Sequence, residues 1–492
     1  MSAVKSQNVS RTVLAAGAGA VLAATALLYA PEFLGRGTPP PPGPAERAVI
    51  AAHAGAQAAL PDLAALIADR EKWLRTHPDD GKSWADLGAA YVERGTRLGD
   101  VRDHPRAEEA LRRSLAARPA ARGNTAAQLG LGALAGARGD WRTAREWGER
   151  VRKAEPGHWP VYPVLIDAYN GLGDYGAARA AMEKLEELHA GAVVRARAAQ
   201  TYRDRGWRED ADAAALDAVA LAAADAERAA ALGRLGDLAW ERGEPEEALE
   251  RHGAALRLVR DHGPSLAGRA RALAALGRTD GAVRDWRAAL ARLPLPEYVL
   301  EAGELYESLG LDAEARALYE RLRTGTWARA AVPLGLLDAD HGDPAAAVAR
   351  LRAEWARGHR SVGVADALGW ALFRSGRARE ALEYARRATD EGLRSALFSY
   401  HRGEIERALD LRGPARRRLA EALRINPAFS PLHAPRAEAA LAALGEPPDE
   451  LPEGVGREGT ARTGRTAGAE KGTGTEKAAD AEKTAAGPGT RA

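Results

Sequence analysis

Residues 364–390 read VADALGWALFRSGRAREALEYARRATD, and three small residues in this stretch set the scale for the whole chain: Gly369, Gly376 and Ala381. An alanine standing five residues after a glycine recurs at Ala144, Ala178, Ala211, Ala248, Ala282, Ala315, Ala347, Ala381 and Ala415, in steps of 34, 33, 37, 34, 33, 32, 34 and 34. The glycines are Gly139, Gly173, Gly206, Gly243, Gly277, Gly310, Gly342 and Gly376, with Asp410 the exception. Twelve residues before each alanine stands Gly132, Ile166, Ala199, Gly236, Ala270, Gly303, Gly335, Gly369 or Gly403. An earlier unit fits with a seven-residue insertion: Trp84, Leu87, Gly88 and Tyr91, then Ala107 and Pro119. Self-similarity at a fixed period of this size is the mark of a repeat architecture.

Each position has a physical reason. Glycine inside a helix costs about 1 kcal/mol relative to alanine, so its recurrence at the first position implies that a second helix comes close. The second glycine falls between two helices, where a left-handed residue closes the first one cheaply. The alanine lets the second helix of each pair pack tightly on the first. Pro119, Pro156, Pro294 and Pro427 fall where second helices should stop.

With Trp84-x-x-Leu87-Gly88-x-x-Tyr91, and again with Leu368-Gly369-Trp370-Ala371, Gly376, Ala381 and Ala388, the chain resembles the tetratricopeptide-repeat (TPR) family, in a bacterial form with an N-terminal anchor or signal segment. The resemblance covers residues 81–428 and departs from the family pattern at Ile166 and Ala199, which replace the first glycine. It implies an all-α, right-handed superhelical solenoid of about ten helix–turn–helix units. It also implies a concave face, lined by first helices, that takes a peptide or partner segment. The matching positions are Asp167 and Asn170, Gln200 and Arg203, Asp237 and Trp240, Glu304 and Glu307, Trp370 and Phe373, and Glu404 and Arg407. Units two and six offer Ala133, Gly136, Arg271 and Ala274 there. Trp370, Phe373, Arg374, Tyr400, Glu404 and Arg407 combine aromatic anchors with both signs of charge, so units nine and ten are the expected partner site.

The array needs ends. Residues 46–80 carry Leu63, Leu66, Ile67, Trp73 and Leu74 at helical spacing, resembling the second helix of a unit and expected to cap the array. Residues 429–445 are expected to hold the closing helix. Outside these lie two different kinds of segment. Lys5 and Arg11 precede nineteen uncharged residues, 12–30, just enough to span a bilayer core of about 30 Å at about 1.5 Å per residue. Residues 1–30 are therefore read as a transmembrane anchor. The alternative is a cleaved signal peptide with Ala24-Thr25-Ala26 as its small-residue site, which would release a secreted, soluble TPR binding protein. The flanking charges favour a cytoplasmic N-terminus, with the repeats outside the cell membrane. Residues 31–45, with PPPP at 39–42, read as an extended spacer, and 446–492 as a disordered tail of Gly, Thr, Ala, Glu and Lys.

Composition removes other function classes. Lys and Arg number 70 against 68 Asp and Glu, which gives no basic excess for nucleic acid. With no cysteine there is no thiol nucleophile, disulfide framework or Cys-ligated zinc. Gly81-Lys82-Ser83 lacks the upstream glycine of a phosphate loop, since Thr76 stands five residues before Gly81. His252 and His262, ten residues apart, are not at metal-ligand spacing, and no serine elbow occurs. The reading is a non-enzymatic, membrane-tethered scaffold for a protein or peptide partner, with no cofactor, metal or catalytic residue and no nucleic acid.

Overall fold

The computed structural model describes residues 41–445; the expected membrane segment, residues 31–40 of the spacer and the tail from residue 446 lie outside the described residues. Those residues form 23 α-helices, one short 3-10 turn and no strand. None of the described helices is long and apolar enough to cross a membrane. Two helices come first, α1 (Pro44–His53) and α2 (Leu60–Trp73). Ten hairpins follow, from α3 (Gly81–Leu98) with α4 (Asp103–Ala117) to α21 (Ala396–Ala408) with α22 (Arg412–Ile425), and α23 (His433–Ala443) closes the array. The leading segment is thus a hairpin rather than a lone second helix. It starts inside the expected spacer at Pro44, a residue preorganised for the first turn of a helix.

Inside a unit the residue logic holds. The ten register alanines, from Ala107 to Ala415, are each 2% exposed or less. A Cβ on Gly88 would lie 2.5 Å from Leu111 Cγ, and one on Gly303 2.4 Å from Tyr319 Cε1, so these glycines are where the two helices touch. At the turn, Gly139 takes φ +76° and the next residue, Asp140, caps the second helix by accepting a hydrogen bond from the Thr143 N–H at 3.1 Å. Asp410 takes the same left-handed role at φ +58°, which a short polar side chain tolerates. Gly342 departs from the expectation, with φ −147° and ψ −133°. Glycine avoids a tight contact there, since a Cβ would come within 3.1 Å of Asp338 Cα.

The array does not run straight. Its turns come back against its own later connections, 186 and 187 residues further on: the Val362 N–H donates to Tyr175 Oη at 2.8 Å, and Asn426 Nδ2 donates to the Trp240 carbonyl at 2.8 Å. At a repeat of about 34 residues this is a superhelix of about five and a half units per turn. The Arg329 guanidinium lies over the Trp141 ring at 5.7 Å along the same seam.

Candidate binding cavity

One superhelical turn encloses a cavity of about 900 Å³. Its wall is a ladder of first helices from consecutive units. Arg203 comes from α9 (Ala192–Asp204), Arg234, Asp237 and Trp240 from α11 (Asp225–Glu241), and Arg271 from α13 (Gly263–Ala275). Glu297, Tyr298, Glu301 and Glu304 come from α15 (Pro296–Ser308), and Leu336 and Asp340 from α17 (Ala331–His341). The connection before α21, residues 426–435 and Glu438 of α23 close the far side.

Neighbouring first helices are joined by pairs thirty residues apart, one repeat less one helical turn. Arg271 Nη2 donates to Glu301 Oε1 at 3.0 Å, Trp370 Nε1 donates to Asp340 Oδ2 at 3.0 Å, and Arg197 pairs with Asp167. Arg203 grips Glu241 through two nitrogens, at 2.8 and 2.6 Å, and also reaches Asp204. Burial works against the charge on Arg203 and Arg271, but Glu241 and Glu301 outweigh it and hold both guanidinium groups above their usual range. The Arg271 guanidinium also stands over Trp286 and Tyr298, at 5.5 and 5.4 Å. Glu304 is the contrast. Half-buried in the cavity wall and facing Glu301, Asp340 and Glu307, its carboxyl is pushed up to about 8, with burial the largest cause and Arg436 a partial offset.

The structure separates the expected site residues. Arg203, Asp237, Trp240 and Glu304 line the cavity. Asp167, Asn170, Gln200, Trp370, Phe373, Arg374, Tyr400, Glu404 and Arg407 are not in its wall. Trp370 and Tyr400 are 1% and 3% exposed, so neither presents a ring for a partner to stack on. The reason is unit ten together with the closing helix: Trp370 stacks on His401 of α21 at 4.1 Å and meets His433, at the start of α23, edge-on. Phe373 packs on Trp370, Arg374 lies 3.3 Å from Asp340, and Glu404 pairs with Arg407 at 2.8 Å. Gln200 donates to Asp204, and Asn170 is half-buried. The wall residues missed include Glu297, Tyr298, Leu336 and Asp340, and also Arg234 and Glu301, which stand two positions before the first-glycine position. One more helical turn toward the N-terminus from the chosen stripe, three residues back, would have found the last two.

No protein-family model and no curated protein sequence matches the chain. Among solved structures it is similar to the APC/C hetero-tetramer Cut9–Hcn1, at 15% identity and TM-score 0.42, covering 78% of this chain and 82% of that one. It is similar to yeast Tom70 at 13% identity and TM-score 0.31, over 72% and 96% of the two chains. A tetratricopeptide repeat protein of Parabacteroides merdae gives 19% and 0.32, over 50% and 96%. At these scores the likeness carries no argument about function, and the repeat assignment stands on the geometry of the units.

Proposed function

We propose that this array of ten tetratricopeptide-type hairpins is a non-enzymatic scaffold for protein–protein interaction that takes an extended partner segment in its interior cavity. The observation that carries the reading is the cavity itself, about 900 Å³ and walled by first helices of successive units, a size and concavity suited to side chains of a bound segment. The uncharged run at 12–30, after Lys5 and Arg11, supports a tether holding the repeats at the outer side of a cell membrane.

The absence of cysteine makes a direct test simple. A single cysteine at Ala274, on the cavity wall, or at Ala313, on the exposed side of α16 (Asp312–Thr324), would carry a photo-crosslinker. Crosslinks from position 274 to one short segment of a partner, with none from position 313, are expected. Equal labelling from both positions would remove the cavity from the function. For the tether, a chain starting at residue 45 should leave the membrane fraction with its helicity intact.

A further inference from the structure

The charges on the cavity wall do not balance. Of its arginines, Arg203, Arg234 and Arg271 are each paired with a carboxylate, leaving Arg394 without one among the described residues. On the acidic side, Glu297, Glu304 and Glu438 have no cation within ion-pair range among the described residues. At the end of the cavity near α23, three deeply buried polar atoms also lack partners: Asp340 Oδ1, His401 Nε2 and His433 Nδ1. The side chains that carry them are 10%, 1% and 6% exposed.

Asp340 spends Oδ2 on Trp370, while its Oδ1 has Arg374 3.3 Å away but not aligned for a hydrogen bond. His401 faces the Asp366 carboxylate through Nδ1 at 2.9 Å; a carboxylate accepts, so Nδ1 carries a proton and Nε2 is the nitrogen left without a partner. Burial, with Arg436 and Arg374 nearby, holds His433 down to about 3, so it is a neutral ring. A wall with more acidic than basic side chains, three of the acidic ones without a cation among the described residues, fits a partner that carries positive charge.

We infer that the segment taken by the cavity is basic, placing a lysine or arginine head group at the wall made by Glu304 and Asp340. This rests on the cavity reading above and adds the chemistry of its occupant. The cation would supply the counter-charge that lets Glu304, otherwise held protonated by burial and by Glu301, Asp340 and Glu307, ionise. Tyr298 and Trp240 offer apolar surface to the stem of such a side chain.

The test uses the full chain and four fluorescent twelve-residue Gly/Ser peptides carrying paired Lys, Arg, Gln or Glu, followed by anisotropy at low and high salt. The Lys and Arg peptides should bind, more weakly as salt rises, and Glu304→Gln should weaken both by about tenfold, as expected for one lost charge-assisted contact. Glu314→Gln, on the exposed face of α16, should change nothing. Asp340→Asn gives a second reading should the first variant lose helicity. Gln or Glu peptides binding as well as Lys, or undiminished binding to folded Glu304→Gln, would overturn the inference. Crosslinking from position 274 tells the two failures apart. If it still maps to a partner segment, the groove stands and the basic occupant falls; if it does not, both fall.

Discussion

Ala381 has no exposed surface, and the helices on either side of it are in backbone contact: a Cβ on Gly369 would lie 3.2 Å from the Ala381 carbonyl oxygen. Ala381→Leu forces three more carbons into that gap and should cost about 1–3 kcal/mol, read as a fall in the midpoint of urea unfolding. The same change at exposed Ala313 should leave the midpoint unmoved. Glu304 makes the residue-scale prediction of opposite kind. Its carboxyl is raised to about 8, facing Glu301 and Glu307 on its own helix, Asp340 on α17 and Arg436 on α23. The folded chain therefore holds a proton there that the unfolded chain has released above about pH 4.5, and stability should fall as pH rises from that value through about 8. Glu304→Gln should flatten melting temperature against pH in this window, and an unchanged slope would assign it to other groups.

Elements were legible in the chain wherever their signal was local. The register alanine, with a glycine at the helix contact or at the turn, marked every hairpin because helix contact and turn closure are decided within one unit. The full burial of Trp370 was not legible, because besides His401 on the next first helix it is covered by His433 on the closing helix, 63 residues on and in no repeat register. Nor was the seam, since it joins turns to connections five and a half units away without any motif. A matched pair of glycines isolates it. Gly206 and Gly277 have left-handed φ of +74° and +69°, so alanine strains both alike. Only at Gly206 would the new Cβ meet the opposite turn, 2.4 Å from the Gly392 carbonyl oxygen, whereas nothing lies within 4 Å at Gly277. Gly206→Ala should therefore lower the melting temperature clearly more than Gly277→Ala. Equal losses would mean that the seam contributes no stability.

At the scale of the molecule the seam changes how the array shares its stability. In a linear solenoid each unit feels only its neighbours, so a disturbance fades unit by unit along the chain. Here the end of unit ten is tied directly to unit five, because Asn426 is 3% exposed and donates to the Trp240 carbonyl at the end of α11. The Asn426 carbonyl oxygen of the side chain also accepts from the Ala428 N–H at 2.9 Å, which shapes the approach to α23. Asn426→Ala removes both bonds and should cost about 1–3 kcal/mol. Hydrogen exchange then separates the two architectures. A wound array should lose protection in α22 and, 186 residues away, at the C-terminal end of α11, while α15 and the helices between keep theirs. A linear array would show loss in unit ten, less in unit nine and none in unit five. The outcome matters for access to the cavity, because the 426–435 segment that makes this bond is also part of its wall. A partner entering there would have to work against the same contact.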